Sequence, residues 1–110
     1  MEDKLEEIFS LQKGLTEMMN LDRYPGDVEG RISALCTAMI HEAVELQRTT
    51  NWKWWKKPTE FNKTEAREEL ADIWHFLIQA SLELGLTPDD ILKEYQRKNE
   101  INRQRQKDGY

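Results

Sequence analysis

The sequence predicts an all-α protein, an antiparallel bundle of four helices, on three observations. Apolar residues recur at helical spacing in four segments, no segment reads as a strand, and turn or capping signals fall between the segments. The first helix is predicted from about Asp3 to Met19, with Leu5, Ile8, Phe9, Leu11, Leu15, Met18 and Met19 spaced for one face. It stops before the Asn20 to Asp27 stretch, whose Pro25-Gly26 pair marks a turn. The second is predicted from Val28 to Thr49, with Ile32, Leu35, Cys36, Met39, Ile40, Ala43, Val44 and Leu46 as its stripe. A loop from Thr50 to Asn62 follows and holds Trp52, Trp54 and Trp55 among Lys53, Lys56 and Lys57, an unusual composition for an exposed connection. The third helix begins near Thr64, carries Leu70, Ile73, Trp74, Phe76, Leu77, Ile78 and Leu82, and ends at a cap fitted by Gly85. Thr87-Pro88-Asp89-Asp90 then combines an N-cap threonine, a proline at the first helical position and acids in the first turn. It opens a fourth helix that turns polar from Gln96 onward.

Residues 1–110 are expected to form one domain, with a core thin enough that a second copy would help to cover it. The 38% hydrophobic and 34% charged content suits amphipathic helices, each needing one apolar stripe. A net charge of −5 argues against nucleic acid as a partner, since phosphate backbones are met by basic faces. The lone cysteine, Cys36, allows no intrachain disulfide and is expected to be a small buried side chain. No signal peptide or membrane span is legible, so a soluble, cytoplasmic protein without a membrane partner is expected.

Both central helices interrupt their apolar stripes with carboxylates. Glu42 lies on the line of Leu35, Met39 and Leu46, and Glu45 follows it by three residues. Glu69 lies on the line of Ala66, Ile73 and Phe76, and Asp72 follows it by three. Carboxylates on core-facing lines are costly without a compensating cation. The basic residues considered as partners, Arg67 and Lys53, are off the face or in the loop. Four carboxylates from two helices would make an all-oxygen site suited to Mg²⁺ or Mn²⁺ rather than zinc. The spacing alone leaves two readings open, a divalent-cation site and ordinary solvated acids.

His41-Glu42-Ala43-Val44-Glu45-Leu46 and Glu69-Leu70-Ala71-Asp72 resemble the paired motifs of the MazG-like all-α nucleotide pyrophosphohydrolases. Within that superfamily the chain most resembles the dimeric dUTPases. The likeness rests on Trp52-Lys53-Trp54-Trp55-Lys56, on Asp72-Ile73-Trp74-His75-Phe76 and on the run from Tyr95 to Tyr110. Leu11-Gln12 also fits, since that family places a glutamine on the nucleobase there. Two departures stand out: the family's extra helices before the C-terminal motif shrink here to a short turn, and Thr16 stands where the family often has asparagine.

The resemblance implies Mg²⁺-dependent hydrolysis of dUTP to dUMP and pyrophosphate, with Mn²⁺ as a substitute ion. It implies metal ligation by Glu42, Glu45, Glu69 and Asp72, with Glu45 also orienting or deprotonating the attacking water. Lys98, Asn102, Arg105 and Tyr110, joined by Lys53, would bind phosphate oxygens; the first three share a helix face. Gln12 would meet the base edge, and Trp52 and Trp55 would either wall the nucleotide or cover the end of the bundle. His75 is expected beside the site, in packing or in contact with a ligand rather than on the metal itself. A homodimer or larger homo-oligomer is expected. Two rival readings remain: hydrolysis of dCTP or of many nucleotides, and a non-catalytic helical interaction module.

Overall fold

A computed structural model describes residues 3–109; Tyr110, a predicted phosphate ligand, lies outside them. The described residues form four helices in chain order: α1 (Lys4–Glu17), α2 (Val28–Gln47), α3 (Lys63–Glu83) and α4 (Pro88–Lys107). Each starts at a side-chain oxygen that accepts from an otherwise unpaired N–H of the first turn. Asp3 accepts from Leu5 N at 2.9 Å, Asp27 from Gly30 N at 2.8 Å and Asn62 from Glu65 N at 3.0 Å. At α4 the predicted start is a full capping box: Asp90 N donates to Thr87 Oγ1 at 3.1 Å and Thr87 N to Asp90 Oδ2 at 3.0 Å. Gly85 ends α3 in the left-handed region, φ +73°, so that Leu86 N can donate back to Ser81 O at 3.0 Å. A side chain there would strain the reversal that sends α4 away from α3.

The main packing is between α2 and α3. They run antiparallel, since Arg31 near the start of α2 meets Glu83 at the end of α3, while Glu42 meets Glu69 and Asp72 further back. α1 lies across α3, with Gln12 and Thr16 both touching Gln79. α4 packs on α1 and buries no residue of its own, so most of its 20 residues, about 30 Å of helix, project from the rest. The radius of gyration of 17.3 Å reflects this, against about 13 Å for a closed domain of similar length.

Among the described residues the buried apolar core is confined to Phe9, Leu35, Ala66 and Ile78. Leu11 and Leu15 of α1, Met19 just beyond it, Ile40 and Val44 of α2, and Leu70, Trp74 and Leu77 of α3 all remain exposed. Cys36 is exposed too, which corrects the expectation of a buried thiol. The physical reason is the width of the α2 stripe: α3 covers the side marked by Leu35, while α1 packs on α3 and leaves the other side open. No helix among the described residues is long and apolar enough to cross a membrane.

Replacing Thr87 by Ala removes one half of the α4 capping box. Urea unfolding is expected to show a loss of about 1 kcal/mol with an unchanged m-value; no loss would mean that α4 is held by its contact with α1 alone.

Candidate active site between α1, α2 and α3

The α2–α3 packing brings Glu42, Glu69 and Asp72 together, with one carboxylate oxygen from each lying within 4.8 Å of the others. Glu42 and Glu69 are half-buried and Asp72 is exposed. Burial pushes the Glu69 carboxyl above its ordinary range, and repulsion from Asp72, Glu42, Glu45 and Glu65 adds to it. Among the described residues, no ion pair neutralises these three carboxylates. A compact set of oxygen donors with excess negative charge fits a hard divalent cation.

Glu45 stands outside this group. Its Oε1 lies 3.5 Å from Arg48 NH1 in an exposed pair, a contact weak enough to exchange for another partner. The i,i+3 spacing of Glu45 and Arg48 was the available sequence signal for that pairing.

Beside the carboxylates opens a cavity of about 570 Å³ between α1, α2 and α3. Glu42, Asp72 and His75 line it together with Leu15, Met19, Leu21, Leu35 and Phe76, and Gln12, Thr16, Tyr24 and Gln79 also contribute to its wall. Apolar walls with a few polar groups are the usual character of a small-molecule site. His75 Nδ1 lies 2.9 Å from Ala71 O, so that nitrogen carries the proton, and Nε2 of the neutral ring is left as an acceptor. Gln12 is buried, and its Oε1 is a buried oxygen with no hydrogen-bond partner among the described residues. Leaving such an oxygen unpaired costs about 1–3 kcal/mol.

Gln12 belongs to a polar chain that the sequence reading missed. Gln12 Nε2 donates to Gln79 Oε1 at 3.1 Å, and Thr16 Oγ1 lies 2.7 Å from the same oxygen. Gln79 Nε2 donates to Glu83 Oε2 at 3.1 Å. Tyr24 OH donates to Glu83 Oε2 at 2.5 Å, and Arg31 NH1 lies 3.2 Å from Glu83 Oε1. Burial raises the Glu83 carboxyl, but hydrogen bonds from Tyr24, Gln79 and Arg31 outweigh it and hold the group below its ordinary range. Burial and the bond to Glu83 push the Tyr24 phenol up to about 12.

The tryptophan loop builds a second cavity, of about 580 Å³, lined by Arg48, Lys53, Lys56, Lys57 and Trp52. Asn51 ties the loop shut, its amide nitrogen donating to Thr59 O at 2.8 Å and its oxygen accepting from Thr59 N at 2.9 Å. Lys53 Nζ sits 5.4 Å from the centre of the Trp52 ring. Trp55 stacks edge-on against both Trp52 and Trp54, and all three rings are exposed. Trp52 therefore lines the basic cavity and not the one that holds Gln12. Lys56 and Lys57 were noted in the sequence only as part of the unusual loop composition, and Arg48 not at all; the fold brings the three around one cavity.

Lys98, Asn102 and Arg105 are exposed on the projecting α4, which packs on α1 and lines neither of these two cavities. Within one chain they are thus not gathered with Glu42, Glu69 and Asp72.

Comparison with known proteins places this chain in a family. A family model described as dUTPase matches residues 4–88 and, separately, residues 78–110. The dCTP pyrophosphatase of Enterobacteria phage T4 is 31% identical over 78 residues, covering 60% of this chain and 46% of that protein. The chain thus spans about half the length of that curated relative. No solved structure matches. The family match covers most of the chain, including both carboxylate pairs and α4, and the chain belongs to the all-α dUTPase family.

Proposed function

We propose that the protein is a nucleoside triphosphate pyrophosphohydrolase that splits dUTP into dUMP and pyrophosphate. The observation that carries this reading is the meeting of Glu42, Glu69 and Asp72 at the edge of an apolar cavity that contains the buried Gln12. Membership of the dUTPase family supports it. A second reading, hydrolysis of dCTP, is favoured by the dCTP pyrophosphatase relative, since the same carboxylates would serve either base.

Glu42, Glu69 and Asp72 would hold Mg²⁺ or Mn²⁺, and the bound ion would relieve the charge of the triphosphate and activate water for attack at the α-phosphorus. Glu45, one helical turn from Glu42, would leave Arg48 to orient that water or join the ligands. The base would enter the cavity of Leu15, Leu35 and Phe76, with Gln12 at its edge. The β- and γ-phosphates would run along α2 toward Arg48 and Lys53 of the basic cavity.

We also propose that the active form is a homodimer or larger. The exposed Leu11, Leu15, Ile40, Val44, Trp74 and Leu77 leave apolar surface on three helices of one molecule. A second copy would also offer its Lys98, Asn102 and Arg105 as phosphate ligands, which one chain does not bring to its own acids. Sedimentation at micromolar concentration is expected to show a dimer or larger species, and a monomer with full activity would remove this part of the reading.

Incubation with each deoxynucleoside triphosphate and Mg²⁺ is expected to release dUMP and pyrophosphate selectively. In H₂¹⁸O the label should appear in dUMP, and Glu69→Gln should lower kcat by at least about 10²-fold. Preferential release of dCMP would keep the chemistry and replace the substrate; no release from any nucleotide would sink the enzyme reading.

Metal binding should also be visible in stability. Because its folded-state pKa stands above its unfolded one, Glu69 supports the fold while protonated and loses that contribution as pH rises through the folded value. The metal-free protein is therefore expected to melt lower at neutral pH than just above the ordinary carboxyl range. Glu69→Gln should flatten that slope. Mg²⁺ at about 100 times its Kd should stabilise the unaltered protein by about 2.7 kcal/mol and the variant far less. Equal shifts in both would argue against a carboxylate site.

A further inference from the structure

The polar chain behind the cavity has a direction. A carboxylate only accepts hydrogen bonds, and Glu83 is held in place by Tyr24 OH at 2.5 Å and Arg31 NH1 at 3.2 Å. Arg31 is itself fixed, its Nε donating to Pro25 O at 2.7 Å and its guanidinium lying 4.7 Å from the centre of the Tyr24 ring. Gln79 must therefore turn its amide nitrogen toward Glu83, which leaves its oxygen on the opposite side. That oxygen faces Gln12 and Thr16, and Thr16 can only donate to it. Gln12 in turn must donate with Nε2. Its Oε1 is left as a buried oxygen without a partner among the described residues, on a residue that lines the cavity.

We propose that Glu83, acting through Gln79, locks the amide of Gln12 so that the cavity presents a fixed acceptor to the base, which selects a ring N–H donor, the N3–H of uracil. The proposal rests on the reading of this cavity as the nucleotide site and adds the group that sets its polarity. A freely turning glutamine would satisfy a donor or an acceptor equally, and would not tell uracil from cytosine at N3. A locked oxygen opposes the unprotonated N3 of cytosine lone pair to lone pair. The 4-amino group of cytosine could meet it only with the ring displaced along its edge. Glu83 is thus a positioning residue, out of reach of the reacting phosphorus in this role, and Gln79 transmits its effect.

The test replaces the carboxylate by an amide that can donate as well as accept. Glu83→Gln frees Gln79, and with it Gln12, to turn over. Steady-state rates with dUTP and dCTP are expected to show the dUTP preference in kcat/KM falling about tenfold, more through KM for dUTP than through kcat. The exchange double variant, Glu83→Gln with Gln79→Glu, keeps the total charge and restores an obligatory acceptor facing Gln12, so it should recover the preference. In parallel, hydrogen exchange of the Gln12 side-chain amide, followed by NMR, should be slow in the unaltered protein and in the exchange variant, and faster in Glu83→Gln. This second readout needs no turnover. If the protein cleaves neither nucleotide, the proposed reaction falls, and the amide exchange still decides the relay. Unchanged base preference and unchanged exchange in Glu83→Gln would overturn the proposal, as would failure of the exchange variant to restore either. The exchange variant also decides the matter if Glu83→Gln alone does not fold.

Discussion

The candidate site hangs on the antiparallel seam between α2 and α3. The seam sets Glu42 against Glu69 and Asp72 at one end and Arg31 against Glu83 at the other. Leu35 and Ala66, two of the few buried apolar residues among the described residues, belong to these two helices. The two ends of the seam are electrostatic opposites. At the Glu83 end, Tyr24, Gln79 and Arg31 compensate the half-buried carboxylate within the chain. At the Glu69 end the neighbours are themselves acidic, so the fold gathers negative charge without an internal counterion among the described residues. One end is a structural clamp, and the other keeps the uncompensated charge that the proposed cation would meet.

α1 gives the seam its third wall, and it does so through polar contacts more than apolar burial. Gln12 and Thr16 meet Gln79, while Leu11 and Leu15 of the same helix stay exposed. The open space left between the three helices is the cavity, whose apolar residues would otherwise have filled a core. A thin core and a large cavity are two descriptions of one compromise. Stability given up by leaving Leu15, Leu35 and Phe76 around a void is available for binding a ring of matching size. The projecting α4 extends the same pattern, since an exposed helix carrying Lys98, Asn102 and Arg105 gains meaning in contact with another molecule.

The elements were highly legible because each depends on near neighbours in sequence. Asp27, Asn62 and Thr87 cap helices through bonds that span three residues. Gly85 ends α3 through bonds that span three and five residues. The placement of Glu42 and Glu69 on apolar lines was legible for the same reason, as it follows from 3.6-residue periodicity. Glu45 shows the limit of that argument. Periodicity put it beside Glu42, but the nearby Arg48 takes its carboxylate, and only Glu42 enters the three-residue group. Cys36 shows another limit: an apolar stripe says which residues could be buried, not how many helices arrive to bury them.

What the sequence determined by itself is the set of four helices, the caps at Gly85 and Thr87, and the pairing of carboxylates on two of them, since those follow from local sterics and periodic patterning. What only the tertiary structure decided is which distant groups meet. Gln12 finds Gln79 across 67 positions, Tyr24 finds Glu83 across 59, and Arg48 joins the loop lysines around one cavity. The orientation of the Gln12 amide, on which the proposed base selection rests, is set through Gln79 by a carboxylate on another helix. No local rule contains that information. Hydrogen-bond direction passes through space from partner to partner, and the partners are chosen by how the helices pack.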